Sequence, residues 1–575
     1  MERLEAKRIN GNTYYYYSKW ARGGNRSRRI WQKYLGKPQD IARACAGGGP
    51  APTCAEVFQW GLPQAFWQEA TRAQLVEVID QHIRKRQQGL TTGQYLTLAA
   101  LNRAMRPSSK RALWDWFAQT GLVRYLPDAS AEALSSQRFW DHMHKLDAAT
   151  IAAIWQDLLQ GVVRREQLDL SSISYDGTNF YTFIDTFNLR CVLARRGKNK
   201  QGRNNLRQVS YALFCCADGH LPLFYEVYEG NRNDSKQFPA VLERFQRFFQ
   251  ELGGQPGSTP ETTLIFDKGN NSADNFRLLD QMQLCFVGSV KLDEHAELAA
   301  VANSDARFTP AATPGLEGTK SFRVKKVVAD RERVLVVTYN QNLFNAQWKT
   351  LQSDMERACA KLATLQQKLQ DRAAGLIKGG RAPTLASVTS QAKTILHRQH
   401  LRGVIPVAIK AAAAGIPQLN YSIDAEALRK VAETSLGKTI LISNRDAWTD
   451  ERIIAAYRSQ FIIEGVFKGM KDRRTGTWWP LHHWTDAQIK VHGLYCAIAV
   501  LLRGLMWRRV RQANLKLSMN RMLAELGAIR EVINIYPPKR GQKTERKQTV
   551  LSRTSELQEQ LLRILGIEKQ GNNTS

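Results

Sequence analysis

Leu170-Ser-Ser-Ile-Ser-Tyr-Asp176-Gly177 alternates apolar and polar side chains and closes on an acid followed by glycine. Period-two alternation predicts a strand with one buried face, and the Asp-Gly pair predicts its end. Residues 207–216, a turn at Asp218-Gly219 and residues 221–228 form a hairpin by the same pattern. Gly230-Asn231 ends it, and residues 238–249 are amphipathic at helical spacing. A second run, Thr262-Thr-Leu-Ile-Phe-Asp267, again closes on an acid. After Lys268-Gly269-Asn270 come a helix with Phe276, Leu278 and Leu279 and a strand over residues 285–290. Three strands, a helix, a strand, a helix and a strand predict an α/β fold, a mixed sheet covered by helices.

A third acid stands further on. Residues 452–471 predict one helix, with Thr449 as N-cap and Asp450 in the first turn. Tyr457, Glu464, Lys468 and Lys471 fall at i−7, i, i+4 and i+7, which puts them on one face. Taken alone, that spacing is also that of an ordinary surface Glu-Lys pair. Asp176 and Asp267 change its meaning. Two acids at strand ends and one on a helix can converge at one edge of a sheet, and hard divalent cations take oxygen ligands of this kind. Such ions activate water or a hydroxyl in phosphoryl displacement.

Outside this core the pattern is looser. Residues 1–36 interleave Arg, Lys and Tyr and predict a hairpin, with strands at residues 13–17 and 29–34 around Gly23 and Gly24. A Gly- and Pro-rich linker follows at residues 46–53, then helices over residues 74–165. Residues 1–165 are read as a mainly helical DNA-binding region, residues 166–300 as the first part of the core and residues 436–510 as its second part. Between these parts, residues 301–435 are an insertion with an antiparallel pair and a helix. On that helix Leu351, Met355, Ala358, Leu362, Leu365 and Leu369 step by four and three, as in a coiled-coil seam. Residues 511–575 are read as a basic, helical C-terminal region that includes a polar tail from Lys539.

The global numbers bound the class. Among 575 residues, Lys+Arg is 82 against Asp+Glu 52, a formal charge of +30. That excess favours a polyanionic partner, nucleic acid before an anionic membrane surface. Hydrophobic residues make up 43 %, so the chain is globular. Eight cysteines are scattered without a CxxC pair, which excludes a zinc ribbon and suggests a reduced compartment. The N-terminus lacks the apolar core of a signal peptide, and the longest apolar run, Leu494 to Leu502, is too short to span a bilayer. No membrane partner is expected.

Several motifs together resemble a known family. They are Tyr175-Asp176-Gly177-Thr178, Tyr228-Glu229-Gly230-Asn231 with Asp234, Phe266-Asp267-Lys268-Gly269-Asn270, and Tyr457-Arg458 with Ile463-Glu464, Phe467 and Lys471. In these the chain is similar to the DDE transposases of bacterial insertion sequences. The nearest branch is insertion-sequence family sixteen-thirty-four, within the insertion-sequence-four superfamily. The likeness runs from about Asn12 to Leu502 and includes Tyr34-Leu35-Gly36-Lys37, Asn102-Arg103 and Pro107-Ser108-Ser109-Lys110. It implies a ribonuclease-H-like core, with Asp176, Asp267 and Glu464 as the acid triad holding Mg²⁺ (Mn²⁺ substituting). It also implies double-stranded DNA, both element ends and target, as partner, a homodimer in the DNA complex, and a bacterial cytoplasm, nucleoid-associated location.

The superfamily's signature around the third acid is Tyr, two residues, Arg, three residues, Glu, six residues, Lys. Tyr457, Glu464 and Lys471 match it. Position 460 is Gln and the arginine is Arg458, which leaves the DNA-gripping role open between them. Lys471 and Lys468 are expected at phosphates. Tyr457 is expected to stack on or brace the transposon end, and Trp478 to stack on a displaced base or pack in the core. The expected activity is cleavage of inverted-repeat ends by metal-dependent hydrolysis and transfer of the 3′-hydroxyls to target DNA. The alternatives are a ribonuclease-H-like nuclease without strand transfer and a domesticated DNA-binding protein.

Overall fold

Among the helices that precede the sheet are α1 (Thr92–Met105) and α2 (Ala148–Glu166). Strand β1 (Ser172–Tyr181) pairs antiparallel with β2 (Arg207–Cys216), and β2 antiparallel with β3 (Pro222–Glu229). The crossover α3 (Asp234–Gly253) then leads to β4 (Thr263–Phe266), which lies parallel to β1 on its other side. Parallel neighbours need such a crossover. β5 (Cys285–Val290) continues in parallel with β4. The order β3-β2-β1-β4-β5, with two antiparallel and two parallel pairings, is that of a ribonuclease-H-like sheet. The computed structural model describes residues 1–23, 26–45, 51–84, 89–199, 201–253, 262–412, 415–472, 476–538 and 544–568. Gly24 of the expected turn, residues 46–50 of the expected linker and the start of the tail at Lys539 fall outside the described residues, as does the side chain of Asp234.

β2 is buried at all ten of its positions, as a strand covered on both faces must be. On one face Phe245 of α3 stacks on Phe214, ring centroids 3.9 Å apart. Gly230, just past β3, is glycine because a Cβ there would stand 1.8 Å from the Gln208 carbonyl.

The expected insertion is less separate than the sequence suggests. β6 (Thr319–Val328) and β7 (Arg331–Asn340) form the expected antiparallel pair. After α4 (Gln341–Ala373) and α5 (Leu385–Ile395), strand β8 (Lys438–Ser443) pairs with both β7 and β5. The pair and β8 thus extend the core sheet, which with the two short strands Arg195–Arg196 and Thr309–Pro310 has ten strands among the described residues. The helical part does form its own core. Leu351, Met355, Ala358, Leu362, Leu365 and Leu369 of α4 are buried with Val388 and Ala392 of α5 and with Leu401, Val404 and Leu419. The seam closes on its own chain.

The next helices after β8 are α6 (Asp450–Arg458), α7 (Phe461–Lys471) and α8 (Asp486–Gln512). α8 packs on β3 on the face away from α3, with Gly493 against Val227 and Tyr225. It is long and apolar enough to cross a bilayer by composition, and 94 % of its apolar window is buried in the protein.

The chain divides into two compact units, and the division differs from the expected one at both ends. The larger holds Glu69–Trp114 and Asp128–Gln512. Most of the helices expected in an N-terminal region therefore belong with the core, because α1 is buried along nearly its whole length. The smaller unit joins Met1–Gln68, Asp115–Pro127 and Ala513–Ser575. Its N-terminus is a sheet of three strands, Glu2–Ile9, Asn12–Gly23 and Arg26–Gly36, where a two-stranded hairpin was expected. Its C-terminal part is not simply helical. Arg530–Tyr536 pairs with Cys54–Gln59 on one side and Arg546–Leu551 on the other.

Leu362 is fully buried in the α4 cluster. Leu362→Ala should cost about 3 kcal/mol, read as faster limited proteolysis within residues 341–436. Proteolysis at the wild-type rate would show that this seam does not hold the segment together.

Candidate active site

The β1–β4 register pairs Tyr175 with Phe266, and the next residues are Asp176 and Asp267. Parallel strands lie about 4.8 Å apart, so the two acids leave neighbouring backbones at one level. β1 does not end at Asp176 as the sequence predicts. It continues to Tyr181 beside β2, and only the parallel pairing stops here. The reason is Asp267, whose side chain caps a 3-10 turn at Lys268–Asn270 and turns the chain away.

The helix expected over residues 452–471 is two helices, α6 and α7, parted at Ser459 and Gln460. There Ser459 Oγ donates to the Ala456 carbonyl at 2.6 Å, and Gln460 N bonds Tyr457 O, a local i→i+3 tightening. Tyr457 and Glu464 therefore do not share one helical face. Instead the Tyr457 hydroxyl lies 2.8 Å from Ser289 Oγ and 3.4 Å from Asp267 Oδ1. Its phenol is pushed up to about 12, by burial first and also by the negative charges of Asp267 and Glu464. Both carboxylates thus act on one hydroxyl, which stays protonated at neutral pH.

α7 docks on β1. Lys471 Nζ donates to Thr178 Oγ1 and lies 5.5 Å from the centre of the Phe180 ring. Thr178 is two residues past Asp176, on the same side of the strand. Lys471 is accordingly half-buried, not the solvated lysine of a bare helix face, while Lys468 and Glu464 are exposed.

The three acids do not meet in one coordination sphere. Among the described residues no three of His, Cys, Asp and Glu stand close enough to hold a metal ion together. Asp176 Oδ1 instead accepts from Gly177 N at 2.7 Å, and Asp267 Oδ1 from Lys268 N at 2.6 Å. The donor set itself, three carboxylates with no nitrogen or sulfur, fits a hard divalent cation.

Arg458 and Gln460 are engaged away from the DNA role expected of one of them, and Trp478 takes the core place that was one of its two expected positions. Arg458 donates to the Gly315 carbonyl at 3.0 Å and to Thr319 Oγ1, so it braces the start of β6. Gln460 is buried. Trp478 is fully buried and stacks on Phe180 at 4.3 Å and 15°. Its carbonyl is held by His492 Nε2 at 2.7 Å, and burial keeps that imidazole well below its ordinary pKa, hence neutral. Thr178 was expected only as the last residue of a motif, with no role of its own, and Ser289 was not anticipated. A hydroxyl near the end of each of two apolar strands was the only signal, and it has meaning only once the strand ends are aligned.

The fold is a ribonuclease-H-like sheet with Asp176 within β1 and Asp267 just past β4, where the parallel pairing of the two strands stops. The family model described as transposase DDE domain matches residues 173–502, more than half of the chain, and the chain belongs to that family. Its members are transposition enzymes that use divalent metal ions. No curated protein matches the chain. Among solved structures it is similar to the piggyBac transposase synaptic complex with hairpin DNA, at 10 % identity and a TM-score of 0.33, over 81 % of this chain and 78 % of that one. It is also similar to the Mos1 transposase paired-end complex with the left transposon end, at 12 % identity and a TM-score of 0.15, over 38 % of this chain and 77 % of that one. No residue here takes a role from either.

Trp478→Ala should lower unfolding stability by about 3–5 kcal/mol in denaturant. A variant of wild-type stability that loses only DNA affinity would return Trp478 to the DNA surface.

Proposed function

We propose that the protein is the transposase of a bacterial insertion sequence, of branch sixteen-thirty-four within the insertion-sequence-four superfamily, working in the bacterial cytoplasm on nucleoid DNA. It binds the inverted-repeat ends of its element as a homodimer, hydrolyses the strand at each end, and joins the freed 3′-hydroxyls to a target duplex. The observation that carries this reading is the β1–β4 register, which sets Asp176 beside Asp267. Asp176, Asp267 and Glu464 are the proposed ligands of Mg²⁺, with Mn²⁺ as substitute. When bound, the metal supplies activation of the attacking oxygen and neutralisation of the leaving one.

The remaining work falls to the chain's own side chains. Tyr457, kept protonated, offers a hydroxyl beside Asp267 to a phosphate oxygen. Lys468, one turn beyond Glu464 and exposed, offers a charge to the backbone. Lys471 holds α7 against β1 through Thr178 and adds positive potential there. End recognition is assigned to the N-terminal region, where residues 1–37 carry ten Lys or Arg against two Glu.

The test is a duplex carrying the inverted repeats that flank the reading frame, incubated with the full chain and Mg²⁺. Nicking at the ends and joining to a second duplex are expected. Nicking without joining would make the protein a nuclease, and binding without nicking a DNA-binding protein. Asp176→Ala, Asp267→Ala and Glu464→Ala should each cut cleavage by at least roughly 100-fold while end binding persists. Near-normal cleavage by one variant would remove its residue from the triad.

A further inference from the structure

The loop from β1 to β2 holds three large apolar side chains out in water: Phe183 is 76 %, Phe187 88 % and Leu189 91 % exposed. The loop is firmly braced. Arg207, buried at the start of β2, donates from Nε to Ala194 O at 2.5 Å and from Nη2 to Cys191 O at 2.5 Å. Its Nη1 donates to Asp185 O at 2.7 Å and Asn188 O at 3.1 Å. One guanidinium thus ties four carbonyls across the loop. Asp486 Oδ1 accepts from Val192 N at 2.9 Å and Leu193 N at 3.0 Å, and Asn188 Nδ2 donates to Trp484 O at 3.0 Å. Beneath the tip, Cys191, Leu193 and Ala194 are buried with Val209 and Ile489.

A cluster of large apolar side chains held outward on a braced loop marks an interaction site. Pre-bracing also lowers the ordering cost of docking. The surroundings choose the occupant. Residues 183–206 hold six Lys or Arg and a single acid, Asp185, whose carboxylate accepts from Phe187 N at 2.8 Å. A polyanion suits that charge, and an apolar tip among cations is the equipment of side chains that enter DNA between base steps and unstack them. The loop begins where β1 ends. From Asp176 to Tyr181 the strand covers roughly 17 Å, about five base-pair steps of duplex.

We propose that Phe187 and Leu189 form a wedge that enters the duplex about five base pairs from the cleaved bond and unstacks one step. The proposal rests on the reading of the protein as a DNA transposase.

The test uses the full chain, the inverted-repeat duplex, and 2-aminopurine placed singly at about two to eight base pairs from the end. Wild type should raise the fluorescence at one or two adjacent positions. The double variant Phe187→Ala/Leu189→Ala should abolish that rise and slow cleavage at least about tenfold, with affinity within about threefold of wild type. Phe187→Trp should keep both. Both tip residues are exposed, so folding is checked by unchanged thermal unfolding. A double variant that unstacks and cleaves like wild type overturns the wedge. So does one that loses self-association while its fluorescence rise persists, since the tip then docks a second copy. Wild-type protein that neither unstacks nor cleaves the duplex overturns the transposase reading, and the wedge with it.

Discussion

Parallel pairing of β1 with β4 sets the level at which Asp176 and Asp267 leave the sheet, and the proposed metal site depends on that level. The register is held from above. Phe238 of α3 packs against Tyr175 at 5.0 Å and Phe266 at 5.5 Å, the two residues of the last register pair. Side chains alternate along a strand, so a slip by one residue would carry Tyr175 out of the core and Asp176 into it. The crossover helix that makes the parallel pairing possible therefore also locks it.

Glu464 reaches the same end of the sheet by a different route, and α7 is fixed at both its ends. Before it, Tyr457 is tied to Ser289 and Asp267. At its far end Lys471 is tied to Thr178. The chain beyond is pinned again: Cys496 Sγ donates to Thr477 O at 2.9 Å, His492 holds the Trp478 carbonyl, and Arg103 Nη2 donates to Pro480 O at 2.9 Å. Burial also drives Lys110 well below its ordinary pKa, with its amine 4.3 Å from the Tyr495 ring centre. Polar groups buried this deeply are structural, which explains why Trp478 and His492 serve the fold although they follow the third acid so closely.

The core strands were legible because each is a short apolar run, and local pattern decides such runs, although β1 runs past the acid and glycine that were expected to end it. The leucines of α4 were legible for the same reason: a seam that repeats over five turns must be covered. What escaped the sequence was set by contacts distant along the chain. Nothing local shows that β7 will pair with β8, or that Arg530–Tyr536 will lie beside Cys54–Gln59. The break at Ser459 escaped because the hydrophobic period runs through it unchanged. Arg458 looked like a DNA contact because charge on a helix says nothing of the loop that will accept it, here Gly315 and Thr319. The positions of Asp176, Asp267 and Glu464 along the chain were plain. Their side-chain directions were not, since Asp176 accepts from Gly177 N and Asp267 from Lys268 N, local bonds that the pattern does not show.

The central claim is that three acids, two from adjacent strands and one from α7, serve one metal site. Iron-directed cleavage of the polypeptide tests it without any need for activity. The full chain is loaded with Fe²⁺, treated with ascorbate and peroxide, and the cut sites are mapped by mass spectrometry. Cuts next to Asp176, Asp267 and Glu464 together, all suppressed by excess Mg²⁺, are the expected result. Cuts at the two aspartates with none near Glu464, or cuts that Mg²⁺ does not suppress, would contradict it.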